Sequence, residues 1–246
     1  MHDDTRVAIV TGAGSGIGRA TAEMLGECGL SVVLVGRRRE PLEATAELVK
    51  GETLVLPADL STAAGVADVI EGTLGAYGRI DVLINNAGAA PCQPFAEFGW
   101  EELERLYRLN SIGPMALIAA AWPVFAEQHA GRDRRSDPTE VARVVNLSSM
   151  ATVDPFPGLS AYAASKAAVN LLTRACANEG AEAGIKAFAV APGAVETEML
   201  RSIADEAMLP RDKVLSPRQV ASVIVACACG ERDEENGSVI LVPSPA

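Results

Sequence analysis

Val7-Ala8-Ile9-Val10-Thr11-Gly12-Ala13-Gly14-Ser15-Gly16-Ile17-Gly18 joins a strand-like apolar run to a glycine-rich turn near the start of a 246-residue chain. A helical pattern opens directly behind it at Arg19-Ala20-Thr21. Glycine lets the backbone turn sharply there and lets a pyrophosphate lie against bare amide groups at a helix N-terminus. The spacing is T-G-x-x-x-G-x-G rather than G-x-G-x-x-G, so Gly12, Gly16 and Gly18 take the critical places, with Ser15 and Ile17 between them. A turn of this composition also occurs without any ligand. Its position between a first strand and a first helix is what points to a nucleotide.

Working outward, short β-branched runs alternate with longer helical patterns to the end of the chain. Strands are read at 7–10, 32–35, 53–56, 82–84, 144–147, 187–190 and 239–242. They are apolar without alternation, as strands buried on both faces of a parallel sheet should be. Helices are read near 17–28, 39–50, 61–77, 100–129, 161–183 and 216–229. The pattern predicts an α/β fold: a Rossmann-type doubly wound parallel β-sheet with helices on both faces, in a single domain spanning 1–246.

Composition narrows the function. Apolar residues make up 49% of the chain and aromatics 4%, so the core must be aliphatic. A net charge of −11 argues against a nucleic-acid partner, which needs a basic surface. No segment approaches 18 to 20 uninterrupted apolar residues, so no membrane association is expected. The N-terminus shows no cationic-then-apolar signal. Five scattered cysteines suit reduced thiols in a cytoplasmic protein. Cys227-Ala-Cys229 sits on an apolar helical run without a second cysteine pair, and the two histidines are His2 and His129, so no metal site is expected.

Two stretches break the strand–helix rhythm. Gly131 to Pro138 is almost wholly charged or turn-forming and reads either as a solvated loop or as a phosphate or partner site. Thr197 to Ser216 carries Met199, Leu200, Ile203, Met208 and Leu209, which suit a short apolar flap and core packing equally well.

The remaining chemistry clusters at the carboxyl ends of strands, where open α/β sheets bind ligands. The second strand ends Gly36-Arg37-Arg38-Arg39, with no acidic residue before Glu40. Arginine there accommodates a 2′-phosphate, so Arg37 and then Arg38 favour NADP(H) over NAD(H), although these arginines could also merely decorate the next helix. Asp59-Leu60 follows the third strand and Asn85-Asn86-Ala87-Gly88 the fourth; each alone could be turn chemistry. Further on come Ser149 and Tyr162-Ala-Ala-Ser-Lys166. Tyrosine and lysine at i and i+4 share a helix face. A free tyrosine titrates near 10, and bringing it to neutrality takes about 4 kcal/mol of preferential phenolate stabilisation. A lysine together with an oxidised nicotinamide could supply that in a partly dry site. Ser149 can donate to a substrate oxygen as charge develops there.

Taken together, Thr11 to Gly18, Asp59, Asn85-Asn86-Ala87-Gly88, Asn110, Ser148-Ser149, Tyr162-x-x-x-Lys166 and Pro192-Gly193-x-Val195-x-Thr197 resemble the short-chain dehydrogenase/reductase family over nearly the whole chain. The resemblance implies a catalytic tetrad of Asn110, Ser149, Tyr162 and Lys166. Tyr162 would be the general acid/base, Ser149 would polarise the substrate oxygen, and Lys166 would hold the nicotinamide ribose and lower the tyrosine pKa. Asn110 would kink its helix and help hold a proton-relaying water. Pro192, Gly193, Val195 and Thr197 would bracket the nicotinamide. Helices near 100–129 and 161–183 would form the face of a homodimer or homotetramer. The chain departs from the usual Asp-Gly-Gly ending, closing on Gly237 to Ala246, which makes the tetramer less secure than the dimer.

The expected activity is hydride transfer between NADP(H) and a carbonyl or secondary alcohol. Pro91, Phe95, Phe156, Leu159 and Met199 would shape a pocket for a small, largely apolar molecule. A 3-oxoacyl thioester reductase is one such enzyme, and no motif separates it from other ketone reductases. Two other readings stand beside it: a nucleotide-binding redox sensor or scaffold without turnover, and an NAD-dependent dehydrogenase or an epimerase that uses its cofactor internally.

Overall fold

A computed structural model describes residues 5–128 and 141–245. The first strand, β1 (Val7–Thr11), is fully buried and hydrogen-bonds to a neighbour on each side. Alternate side chains therefore enter two different cores. Ala8 and Val10 face one, and Val7 and Ile9 the other. This explains the continuous apolar strand, because neither face meets water.

Seven parallel strands are ordered β3-β2-β1-β4-β5-β6-β7. They are β2 (Ser31–Gly36), β3 (Thr53–Pro57), β4 (Val82–Asn85), β5 (Ala142–Leu147), β6 (Ile185–Pro192) and β7 (Val239–Val242). Helices α1 (Gly16–Glu27), α2 (Arg39–Ala46) and α8 (Pro217–Cys229) cover one face, with Leu25, Leu42 and Ile224 in its core. Helices α3 (Ala63–Tyr77), α5 (Gly113–Gln128) and α6 (Ser160–Gly180) cover the other, with Val69, Phe125 and Ala177. The strand order reverses between β1 and β4, so a crevice opens at their carboxyl ends.

The helix expected over 100–129 is two helices, α4 (Trp100–Tyr107) and α5, joined by a π turn at Arg108–Ile112. Pro114 has no N–H to donate to the carbonyl of Asn110 four residues back, and Gly113 N–H instead reaches Arg108 O, five residues back. Trp100–Gln128 taken as one run is long and apolar enough to cross a bilayer, which a search for uninterrupted apolar residues passes over. Here the π turn divides it, and Leu117, Ile118, Ala121 and Phe125 lie in the second core.

Cys227 of the Cys227-Ala-Cys229 pair is wholly buried in the first core, and burial pushes its thiol up to about 12. The charged 131–138 stretch lies outside the described residues.

Candidate active site

Thr11 ends β1 with its hydroxyl accepting from Asn86 N and Ala87 N at 2.9 and 3.0 Å. The Asn86 amide donates to Thr11 O at 2.7 Å and Gly12 O at 3.3 Å. The glycine-rich turn is thus stapled to the end of β4. Asn86, expected as a cofactor contact, has its side-chain donor committed to shaping the turn. Gly12 lies at φ +66°, and a Cβ on Gly18 would sit 2.2 Å from Gly12 O, so any side chain at Gly18 would break the turn. Ser15 precedes α1 as an exposed N-cap residue whose side chain caps nothing. Its hydroxyl and the first amides of α1 form an anion cradle of the kind a pyrophosphate fills.

Ser149 caps a short 3₁₀ turn, Met150–Thr152, and its Oγ accepts from Ala151 N at 3.1 Å. The neighbouring Ser148 is buried and donates to Asn170 Oδ1. That contact ties Ser148 into the packing, while Ser149 and Tyr162 line the same cleft. Burial holds the Tyr162 phenol above its usual range, and the Ser149 side chain pulls it the other way. Lys166 is almost fully buried one helical turn on. Its ammonium donates to Leu147 O at 2.7 Å and lies 5.9 Å from the centroid of the Tyr162 ring. Burial lowers it from an ordinary 10.5 to about 8.

Asn110 sits in the π turn, fully buried. Its Oδ1 accepts from Ala89 N at 2.9 Å, and its Nδ2 donates to Ala89 O at 2.9 Å and Ser165 Oγ at 3.0 Å. A Cβ on Gly88 would meet Asn110 Oδ1 at 3.2 Å and Lys166 Nζ at 3.4 Å. The asparagine amide and the lysine ammonium therefore converge behind Gly88.

One cleft of about 500 Å³ joins these parts. Gly12, Ser15, Gly16, Ile17, Asn86, Ala87 and Gly88 line one end, and Ser149 and Tyr162 line the middle. Pro192, Gly193, Val195 and Thr197 also line it, with Thr197 Cγ2 only 3.1 Å from where a Cβ on Gly16 would be. Gly18, Asn110 and Lys166 stand behind the lining. Arg37 and Arg38 are exposed beyond the end of β2, and Arg38 begins α2 as its N-cap residue. Asp59 accepts from Ser61 N and Ser61 Oγ at 3.0 and 2.7 Å, which holds its carboxyl below the usual range, with a smaller effect from Arg37. Leu60 turns its side chain into the second core, leaving its main chain at the strand end.

Of the pocket residues expected, Phe156, Leu159 and Met199 line the cleft, and Pro91 and Phe95 do not. The apolar residues of 197–216 divide in favour of the flap. Met199, Leu200, Ile203, Met208 and Leu209 all line the cleft, and none belongs to either buried core. Within that stretch α7 (Glu198–Arg201) carries Arg201, whose guanidinium donates to Glu196, to Ala204 O at 3.4 Å and to Leu209 O at 2.8 Å.

Two positioning residues escaped the sequence reading. Asn170 donates to Thr152 Oγ1 at 3.1 Å and accepts from Ser148. Its spacing, i+8 from Tyr162 and i+4 from Lys166, puts it on their helix face and was the available signal. Arg19 donates to Gly14 O at 2.6 Å and Thr45 Oγ1 at 3.1 Å, bracing the turn against α2. A cation in the first turn of a helix opposes the helix dipole, and that oddity marked it.

A family model described as short chain dehydrogenase matches residues 6–207. An uncharacterized oxidoreductase of Listeria monocytogenes is 32% identical over 247 residues, covering 96% of this chain and 95% of that protein. One of Staphylococcus epidermidis is 30% identical over 194 residues, covering 79% and 80%. Among solved structures, a 3-ketoacyl-(acyl-carrier-protein) reductase from Brucella melitensis complexed with NADH is similar at TM-score 0.88 and 29% identity, covering 96% of each chain. A short-chain type dehydrogenase/reductase from Mycobacterium marinum is similar at TM-score 0.87 and 26% identity, covering 97% of this chain and 94% of that one.

Proposed function

The chain belongs to the short-chain dehydrogenase/reductase family, and we propose that this oxidoreductase is an NADP(H)-dependent reductase of ketones or aldehydes, or the reverse dehydrogenase. The observation that carries the reading is the single cleft running from the glycine-rich turn to Ser149 and Tyr162. A nucleotide laid on the turn and a carbonyl laid on the two hydroxyls would share one enclosed space.

NADP(H), when bound, supplies or takes the hydride. The amides and hydroxyl at Ser15–Gly18 would hold its pyrophosphate, and Pro192, Gly193, Val195 and Thr197, which line the same cleft, would bracket its nicotinamide. Arg37 holds the 2′-phosphate, with Arg38 beside it, because β2 ends without a carboxylate to bind a ribose diol. Ser149 donates to the substrate oxygen, and Tyr162 gives or takes the proton there. Burial keeps the Tyr162 phenol protonated, so it holds the proton that reduction delivers to the substrate oxygen. Lys166 places a positive charge behind the phenol, which favours phenolate during the proton transfer. Asn110, fixed by Ala89 on both its amide atoms, positions the backbone behind Lys166 and serves the proton relay.

Assembly belongs to the same proposal. Ile112, Met115 and Leu171 are exposed on the π turn, α5 and α6, where a dimer partner would cover them. Buried thiols at Cys176 and Cys227 suit a reducing, cytoplasmic setting.

The test is NADPH and NADH consumption across a panel of ketones and aldehydes. Net NADPH oxidation, with NADH slower by tenfold or more, is expected. Cofactor binding without net oxidation of either would point to a sensor or an epimerase and overturn the proposal.

A further inference from the structure

The substrate end of the cleft carries charge of one sign. Met150, Phe156, Met199 and Ile203 make its walls apolar, and two carboxylates, Asp154 and Glu198, line it with them. Both carboxylates are exposed, and neither has a side-chain hydrogen bond or ion pair among the described residues. Among the described residues, no arginine, lysine or histidine lines the cleft. The nearby cations are held elsewhere: Arg201 pairs with Glu196, Arg211 with Glu206, and Lys166 donates to the Leu147 carbonyl behind the wall. The chain as a whole carries a net charge of −11. An anionic ligand entering here would meet unpaired carboxylates against a low-dielectric wall, with no cation among the described lining residues to offset them.

We infer that the cleft selects carbonyl compounds with a bulky apolar body and a neutral or cationic remote end, and that Asp154 and Glu198 exclude anionic ones. This inference rests on the proposed carbonyl chemistry at Tyr162. It separates the chain from reductases whose substrates arrive on an acidic carrier or end in carboxylate or phosphate. Such molecules need a cation where their charged end rests, and the charged residues among the described lining are both carboxylates. An apolar ketone with an ammonium at its far end can instead bury its body against Met150 and Phe156 while the charge rests near the two carboxylates.

The experiment uses three ketones of one shape: 4-acetylbenzoate, 4-methylacetophenone and 4-acetylphenyl-trimethylammonium. Binding to the full chain is measured by saturation-transfer NMR without cofactor, and kcat/KM is measured with NADPH. The expected order is cation, then neutral, then anion. Each step should be about threefold to tenfold at low salt, closing as salt shortens the screening length. In Asp154→Asn combined with Glu198→Gln, the cation-to-anion ratio should fall toward one in both measurements. An anion that binds as well as the cation, or a ratio that the double variant leaves unchanged, would overturn the inference, as would failure of all three to bind. Ordered binding without turnover of any of the three would leave the cleft's selectivity standing and remove the proposed hydride chemistry instead.

Discussion

Replacing Lys166 by methionine should change how stability depends on pH, by an amount the structure sets. The lysine is almost fully buried, and burial lowers its pKa from 10.5 to about 8. Below pH 8 both folded and unfolded chains hold the proton, so the folded state bears the full cost of a buried charge. Between about 8 and 10.5 the folded chain has shed that proton while the unfolded chain keeps it. The unfolded state then binds more protons, and stability rises with pH across this window. At about 1.36 kcal/mol per pH unit, the whole span amounts to about 3 kcal/mol. Lys166→Met removes the titration and keeps similar volume. It also leaves Leu147 O without its 2.7 Å donor, which costs about 1 kcal/mol. Near pH 7 the variant should therefore be more stable than wild type by about 2 kcal/mol. By about pH 10 that advantage should be gone or reversed. Urea unfolding of both proteins at a series of pH values reads the difference directly. A gap that stayed constant within about 0.5 kcal/mol would refute a buried, charged Lys166.

Arg37→Ala should lower kcat/KM for NADPH by about tenfold to a hundredfold and leave NADH nearly untouched, since a charge-assisted phosphate contact is worth about 1.5–3 kcal/mol; an unchanged NADPH:NADH ratio would remove Arg37 from the cofactor site. Arg201→Ala frees the 197–216 flap from Glu196 and Leu209 and should raise KM for apolar ketones about fivefold, with a smaller change in kcat. An unchanged KM would show that the flap does not depend on that anchor. Asp233→Ala removes the carboxylate that the fully buried Arg143 grips at 3.2 and 3.0 Å, and it should cost about 3 kcal/mol in urea unfolding. A loss under about 1 kcal/mol would mean that Arg143 is satisfied by its other contacts.

The legible parts of this protein are those dictated by short-range physics. The five inner strands could be read because both their faces are buried and the run then needs no polar positions. The edge strands β3 and β7 are only partly buried and were read from their β-branched, apolar composition. Tyr162 and Lys166 could be paired because helical spacing alone puts them on one face. The π turn could not be read from local pattern, since it depends on Asn110 meeting Ala89, distant in sequence, as well as on Pro114 nearby. The flap could not be separated from core packing by composition, because both require the same methionines and leucines. Only its place over the cleft decides between them. Phe95 was expected at the pocket and instead lies 73% exposed on a 3₁₀ turn, as loop residues follow tertiary contacts that the sequence does not display. Arg37 was legible as a cation at the right strand end, yet its proximity to Asp59 emerges only from the fold.

Tyr162 is the group on which the proposed chemistry turns, and its hydroxyl can be removed without disturbing its ring. Single-turnover NADPH oxidation should be followed with a ketone that wild type reduces, comparing wild type and Tyr162→Phe at equal cofactor occupancy. The variant should bind NADPH as wild type does and lose a factor of about 10² to 10⁴ in the hydride-transfer rate. A Tyr162→Phe enzyme that reduced the ketone at the wild-type rate would contradict a proton transfer through this tyrosine.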